Sequence, residues 1–592
     1  MARFPGGLSL LALLYFAQWA SCKLVQFNLD LTWEDHEVAG STRKMILSNG
    51  QFPAPQLRLK QGDEVEFLVN NSLPFGTTVH FHGIEQRGTP WSDGVPGLSQ
   101  KPIAPGDHFL YKWQANEYGA YLYHAHTRGQ VDDGLYGAIY IEPSDAVEKP
   151  FHLLTDDEAE LDAILQAEKD TQPIILADWR RLTSEEVWNA QVASGLEDFC
   201  TNSILINGKG SEICLSQDRI DALTSPALKQ VLGNTSLTDM ACLPSDPEAL
   251  KLTPPGFRRG CTPHTGPTEI LEVDPSTQYR SWDVSSMAST SSLAFSIDKH
   301  PVYIYAIDGR YIEPLRVDAL TIAIGTRYSI LVKLDQAPTD YPVRAANNVP
   351  AQIINGTAIL RYKTPAATAT PPPPPPTTTP YITELGTNAT ASTTFLNESA
   401  VTPFPPISPA LTSHKTFILN VDHAGASYRW TLGNASFPLS NEDATPLLFN
   451  RTSIPAKYLI TTQNNTWVDI IINMTSSGQP PHPIHKHSNK YFVIGAGQGS
   501  FTYASVAEAV KHVPQNFNFV TPQIRDTFPT PSAAAGPAWL AIRYQVVNPG
   551  PFLLHCHLQL HLSGGMALAL LDGVDAWPVV PGEYRMPAVS SS

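Results

Sequence analysis

Hydrophobic positions in this chain come in short runs. Val65 to Val69, Leu135 to Ile141, Leu320 to Leu334 and Tyr458 to Asn473 are rich in β-branched and aromatic residues, and Gly, Pro and Asn turns separate them. That rhythm predicts an all-β sandwich architecture. One stretch breaks it. Pro371 to Pro376 lie inside a Thr/Ala/Pro-rich segment that starts near Thr364 and continues to about Pro409. Such a composition cannot bury a core, so it reads as an extended linker or surface insertion ahead of a final domain. Histidine pairs spaced two apart recur near the end of the first quarter and near the C-terminus, which points to related β-domains.

At 592 residues, 42% hydrophobic and 16% charged, the chain suits three or four domains and excludes a disordered or fibrous protein. Arg3, the apolar stretch Leu8 to Phe16 and the small residues around Ala20-Ser21-Cys22 have the layout of a signal peptide, 1–22, too short in its apolar part to span a bilayer. No later segment is apolar enough to span one. Nine Asn-x-Ser/Thr sequons, at Asn70, Asn234, Asn355, Asn388, Asn397, Asn434, Asn450, Asn464 and Asn473, fit export and a glycosylated surface. Cys200, Cys214, Cys242 and Cys261 lie together and allow two disulfides in any of three pairings, which leaves Cys556 over once Cys22 departs with the signal. A net charge of −16 with no basic cluster makes nucleic acid and anionic membrane poor partners.

Ten of the 18 histidines fall into four tight groups: His80-Phe81-His82, His124-Ala125-His126, His482 with His485 and His487, and His555-Cys556-His557 with His561. In a strand, residues i and i+2 point to one face, so each His-x-His pair offers two imidazoles side by side, and four facing pairs offer eight nitrogen ligands. Imidazole alone does not choose among copper, zinc, iron and nickel. Cysteine does. Cys556 must face the side opposite its two neighbours, where His482, His561 and the sulfur of Met566 can join it. Two histidines, a thiolate and a weak axial methionine make a blue-copper electron-transfer site. A closed four-ligand zinc site would not account for ten histidines.

At these residues the chain resembles the multicopper oxidases: laccases, ascorbate oxidases and ferroxidases. His80-Phe81-His82-Gly83, Trp91-Ser92-Asp93-Gly94, Tyr123-His124-Ala125-His126, Asn207-Gly208, Pro522 to Thr527 and the closing His-Cys-His motif carry the resemblance across nearly the whole chain. It implies three cupredoxin domains, at 23–147, 148–363 and 410–592, with the segment 364–409 between the last two. It also implies four coppers. By position, His80 and His485 bind the type 2 copper; His82, His124 and His557 one type 3 copper; His126, His487 and His555 the other; and His482, Cys556 and His561 the type 1 copper, with Met566 axial. The implied reaction takes single electrons from a donor at the Cys556, His482 and His561 site and reduces dioxygen to water, with Asp93 resembling the family carboxylate near the type 2 copper. Asp93 also has a simpler role open to it, stabilising the turn before Gly94.

Three departures stand out. Gln559 replaces an acid that often follows the second histidine of the His-Cys-His motif. Ser488-Asn489 replaces Gly-His. Asn202 stands where an acid often binds a phenol, with Glu197 and Asp198 nearby. The run His482 to Lys490 with Gly564-Gly565-Met566 resembles filamentous-fungal oxidases of pigment and secondary-metabolite pathways, implying phenolic or naphtholic, polyketide-derived substrates coupled through radicals. Axial Met566 implies a low type 1 potential and electron-rich donors, because sulfur stabilises the oxidised copper. The expected partners are dioxygen and a small phenol, with an auxiliary protein guiding the coupling, in a secreted monomer of the cell exterior, wall or secretory vesicle. The alternatives are a metallo-oxidase of ferroxidase type, against which the anchorless ending Pro587 to Ser592 counts, an ascorbate-oxidase-like enzyme, and a copper-binding protein without turnover.

Overall fold

The computed structural model describes residues 23–363 and 378–585. The expected signal peptide, part of the proline-rich segment and the ending from Pro587 lie outside the described residues.

The runs read from the sequence form strands. Glu64–Asn71 alternates exposed and buried residues, the pattern of a strand with one face on a core. Tyr136–Glu142 is buried almost throughout because its sheet is covered on both faces. Two of the longer runs divide. Leu320–Ile322 and Arg327–Lys333 are separated at Gly325, which takes φ +81°, and Leu459–Thr461 and Trp467–Met474 are separated at Asn465, which takes φ +59°.

Among the described residues, seven sheets build three β-sandwiches. The first packs a four-stranded sheet (Ser41–Ser48, Leu24–Val38, Glu64–Asn71, His108–Gln114) on another (Ala54–Lys60, Tyr136–Glu142, Gly119–Ala125, Val79–His82). The second combines six- and five-stranded sheets between Gln172 and Tyr362. The third combines two five-stranded sheets between Lys415 and Asp572 with a hairpin, His423–Ala424 and Ala426–Trp430. Helices are short and most are peripheral, Gln559–Ser563 with its buried His561 being an exception. Ser184–Ser194, for example, starts on a capping box in which Thr183 and Glu186 satisfy each other's backbone N–H groups. One apolar core runs through the second and third sandwiches, and the core of the first continues into the second through Ile175, Ala177 and Trp179.

The disulfides are Cys200–Cys242 and Cys214–Cys261, and Cys556 is free and buried. Residues 378–409 differ from an extended linker. Ile382 and Val401 are buried and Phe395 packs beside Ala319, so this part runs as a strap along the second sandwich. Enough apolar side chains interrupt the Thr and Pro residues to anchor it. The sequon at Asn473 sits inside the fold, where its side chain donates to Asn420 and accepts from the Phe501 N–H.

Candidate metal centre

Four short strands carry the site. Val79–His82 pairs antiparallel with Gly119–Ala125, which sets His80 opposite His124. Pro483–Lys486 pairs antiparallel with Gly550–Cys556 in the third sandwich, which sets His485 opposite His555. The two ladders face each other across the boundary between the first and third sandwiches, and the eight imidazoles are all buried.

Their nitrogens converge in three groups, His82 with His124 and His557, His126 with His487 and His555, and His80 with His485 and His487; within each group the ligand atoms lie within 4.8 Å of one another. His82 Nδ1 is 3.1 Å from His557 Nε2 and 3.4 Å from His124 Nε2, and His487 Nε2 is 3.3 Å from His555 Nε2. Among the described residues, His80 Nε2, His126 Nε2 and His485 Nε2 are buried with no hydrogen-bond partner. Buried polar nitrogens without partners are costly, and a metal ion removes that cost. The opposite ring nitrogens are anchored. His80 Nδ1 meets the Asp93 carbonyl at 2.7 Å, His124 Nδ1 the Ala125 carbonyl at 2.8 Å, His485 Nδ1 the Asp526 carbonyl at 2.9 Å and His555 Nδ1 the Cys556 carbonyl at 2.9 Å. This anchoring fixes tautomer and ring orientation, as metal-ligating histidines require.

Protonation favours ligation too. Burial holds His82 down at about 4 and His555 at about 3. Burial, joined by neighbouring imidazoles, also pushes His124, His126, His482, His485, His487 and His557 well below the usual histidine range. These rings are neutral with free lone pairs at ordinary pH.

Across the strand, Cys556 faces the other way. Its Sγ lies 3.6 Å from His561 Nδ1 and 3.8 Å from His482 Nδ1, and the two nitrogens are 3.0 Å apart. Three donors on metal–ligand bonds of about 2.0–2.3 Å span a triangle of that size. Met566 is buried in the same core, and its carbonyl accepts the Cys556 N–H at 3.1 Å. Burial pushes the Cys556 thiol up, so its proton leaves only when a metal takes the sulfur.

Asp93 is fully buried and reaches two rings at once, with Oδ2 2.9 Å from His487 Nδ1 and Oδ1 3.4 Å from His80 Nδ1. It therefore does more than close a turn. Gly94 beyond it takes φ +78°, and a Cβ there would lie 1.8 Å from the Val79 carbonyl oxygen. Ser488 takes φ +70°, a backbone setting that glycine occupies more freely.

Four contributors carry no local signal of their role in the sequence: Asp526, Arg327, Lys490 and Gly325. Asp526 stands 3.5 Å from His82 Nε2 and is gripped by Arg327 through bonds of 2.5 and 2.7 Å and by Lys490. Burial disfavours its charge, but Arg327 and Lys490 hold its carboxyl well below the usual range. Arg327 belongs to the second sandwich and also donates to the Ala120 carbonyl of the first, so this cation joins all three. Gly325 of the same loop comes so close that a Cβ would lie 3.0 Å from the His557 ring.

Of the acids near Asn202, only Glu197 reaches the site. Its Oε1 is 3.3 Å from His561 Nε2 and accepts the Trp430 Nε1–H at 2.9 Å. Burial disfavours the charge, yet His561 and Trp430 outweigh it and keep the carboxyl below its usual range. Asp198 turns to Arg180, and Asn202 donates to Glu212, so neither joins His561. Gln559 lines a cavity of about 40 Å³ beside His124 and His126, together with Glu442, whose carboxyl burial pushes up to about 7 against the pull of Arg128.

The described residues include no helix long and apolar enough to cross a membrane. Models of the multicopper oxidase family match residues 30–146, 170–365 and 409–576. The chain is 42% identical to laccase abr2 of Aspergillus fumigatus over 97% of its own length and 99% of the relative's. It is 40% identical to multicopper oxidase VdtB of Byssochlamys spectabilis, over 95% and 84%. The solved laccase of Botrytis aclada, 25% identical, superposes with a TM-score of 0.71 over 95% of this chain and 90% of that one. Its three-sandwich architecture is thus the cupredoxin-like fold of laccases, and the one type 1, one type 2 and two type 3 coppers of such proteins fit the four ligand groups. The chain belongs to the multicopper oxidase family.

Proposed function

We propose that this protein is a laccase-type oxidase that takes single electrons from phenolic or naphtholic, polyketide-derived compounds in fungal pigment or secondary-metabolite synthesis. The observation that carries the reading is the Glu197 carboxylate, 3.3 Å from His561 Nε2 and part-exposed. A phenol becomes far easier to oxidise as its proton departs, and Glu197 is placed to accept that proton beside the ring through which the electron leaves.

His482, Cys556 and His561, with Met566 as a further ligand, would hold the type 1 copper. His80 and His485 would hold type 2, His82, His124 and His557 one type 3, and His126, His487 and His555 the other. Bound there, copper supplies one-electron oxidation of the donor at the first site and four-electron reduction of dioxygen to water at the cluster. The chain's own contribution is placement. The backbone from Cys556 to either neighbouring histidine gives electrons a short covalent route. Asp93 orients His487 and His80 and is the acid nearest the cluster for delivering protons, and Asp526 steadies His82 from the other side. Neutral Gln559 cannot share that task.

The test is oxygen uptake by the copper-loaded protein with an electron-rich phenol, a dihydroxynaphthalene, ascorbate and ferrous ion, with Cys556→Ser as the blank. Uptake with the phenol and naphthol, abolished in the blank, supports the reading. Uptake with ferrous ion alone replaces it with a metallo-oxidase.

A further inference from the structure

His561 is covered. It is 3% exposed, and the Trp430 indole lies over it with ring centroids 4.3 Å apart and planes 33° from parallel. Trp430 is itself 1% exposed and lies 5.1 Å from the His482 ring. On its outer side the imidazole of His423 is 3.9 Å away, and His423 is exposed to solvent. Three rings therefore run in contact from the surface to the Cys556 group.

The hairpin holds this order firmly. His423 stands opposite Trp430 in its register. The Trp430 N–H donates to the Gly564 carbonyl, two residues before Met566, and its indole N–H is taken by Glu197. Ser427, in the hairpin's second strand, donates to the Gly195 carbonyl and accepts the Glu197 N–H at 3.0 Å. The rings are thus tied both to Gly564 and to the segment Gly195 to Glu197.

We propose that His423 and Trp430 relay electrons from the surface to His561, so that planar aromatic donors too large to touch His561 are oxidised while docked on this outer face. The proposal rests on the reading of His482, Cys556 and His561 as the type 1 copper site. In each step the docked phenol would lose one electron and its proton to water, the electron crossing the tilted, contacting rings to the oxidised copper that His482, Cys556 and His561 would hold, which is thereby reduced by one electron. Four such steps match one dioxygen and four protons forming two waters. The relay rings begin and end each step unchanged. A planar donor gains an offset stack on the exposed imidazole, a favourable geometry for π-systems. If Trp430 served only as packing, its removal would uncover His561 and speed every donor.

The experiment uses the copper-loaded full chain with Trp430→Leu, Trp430→Phe and His423→Ala. Two readouts are taken: the blue absorption band with its reduction potential, and the anaerobic rate at which a dihydroxynaphthalene bleaches that band. The expected result is an unchanged band and potential, with bleaching slowed about tenfold in Trp430→Leu and less in Trp430→Phe, which keeps a ring. Unchanged or faster bleaching in Trp430→Leu with the band intact overturns the relay. If that variant fails to fold, the exposed His423→Ala decides: slower bleaching supports the relay, and an unaltered rate overturns it. Absence of a blue band in the loaded parent protein would instead sink the type 1 assignment itself.

Discussion

Copper loading at pH 5 should release few protons. Cuprous ion binds the neutral form of imidazole, so the number of protons expelled on binding counts the rings that were charged beforehand. A histidine with the unperturbed pKa of about 6.5 is almost fully charged at pH 5, and eight such rings would expel nearly eight protons. In this fold burial holds His82 at about 4 and His555 at about 3, so at pH 5 His82 carries about 0.1 proton and His555 about 0.01. The other six shifted rings move in the same direction for the same reason. Cys556 adds one proton, since burial keeps the thiol protonated until the metal takes the sulfur. Binding measured by anaerobic calorimetry in buffers of different ionisation enthalpy yields the count directly. A total well short of eight is expected, and loading of Cys556→Ser should lower it further. Release of five or more protons would refute the reasoning, because the rings would then be open to water in the folded, copper-free chain. The same depressed values have a linked effect on folding. Neutral buried rings stabilise the folded chain fully above pH 6.5 and lose that contribution as pH falls toward 4 and 3, whereas Glu117, Asp132, Asp283 and Glu442, raised to about 7, act in the opposite sense over that range.

Glu197→Gln should leave the blue band intact, lower kcat/KM for phenols about a hundredfold and remove the acid limb of the pH profile, which in the parent should lie below the ordinary carboxylate range. Asp93→Asn should leave donor-driven bleaching unaffected but slow recolouring by dioxygen about a hundredfold, seen by stopped-flow absorbance. Arg327→Met takes the bidentate guanidinium from buried Asp526, leaving Lys490 as its close cationic partner, and should cost about 3–5 kcal/mol in denaturant unfolding. Gly94→Ala forces a Cβ into the Val79 carbonyl at positive φ, and should lower both Tm and the number of coppers bound per chain.

The metal-binding groups were legible in the sequence because a two-residue period maps directly onto one face of a strand. That rule placed His80 with His82 and His555 with His557, and it put Cys556 on the opposite face without knowledge of the fold. Contacts between distant segments left no such mark. Nothing local to Glu197 distinguishes it from Asp198, yet the chain turns the first toward His561 and the second toward Arg180. Trp430 follows an ordinary strand pattern, and only the Gly564 carbonyl and the Glu197 carboxylate that hold it reveal its position over His561. Asp526 stood inside a recognised motif, but its role depends on Arg327 from another sandwich. The strap after Thr378 was obscured for a different reason: average composition hid the few apolar residues, Ile382, Phe395 and Val401, that pin it down.

The position of the cluster on the seam between the first and third sandwiches has a consequence for how the protein is made. His82 and His557, whose ring nitrogens lie 3.1 Å apart, are 475 residues apart along the chain. Synthesis proceeds from the N-terminus, and domains generally fold as they emerge. The first sandwich must therefore wait, with its four histidines in place, until the strand Gly550–Cys556 is complete. A chain that stops before this strand lacks the Cys556 sulfur together with His555 and His557, so it has no means of passing electrons to oxygen. The ability to handle oxygen and the ability to finish reducing it arrive in the same stretch of polypeptide, and a half-built enzyme is an inert one.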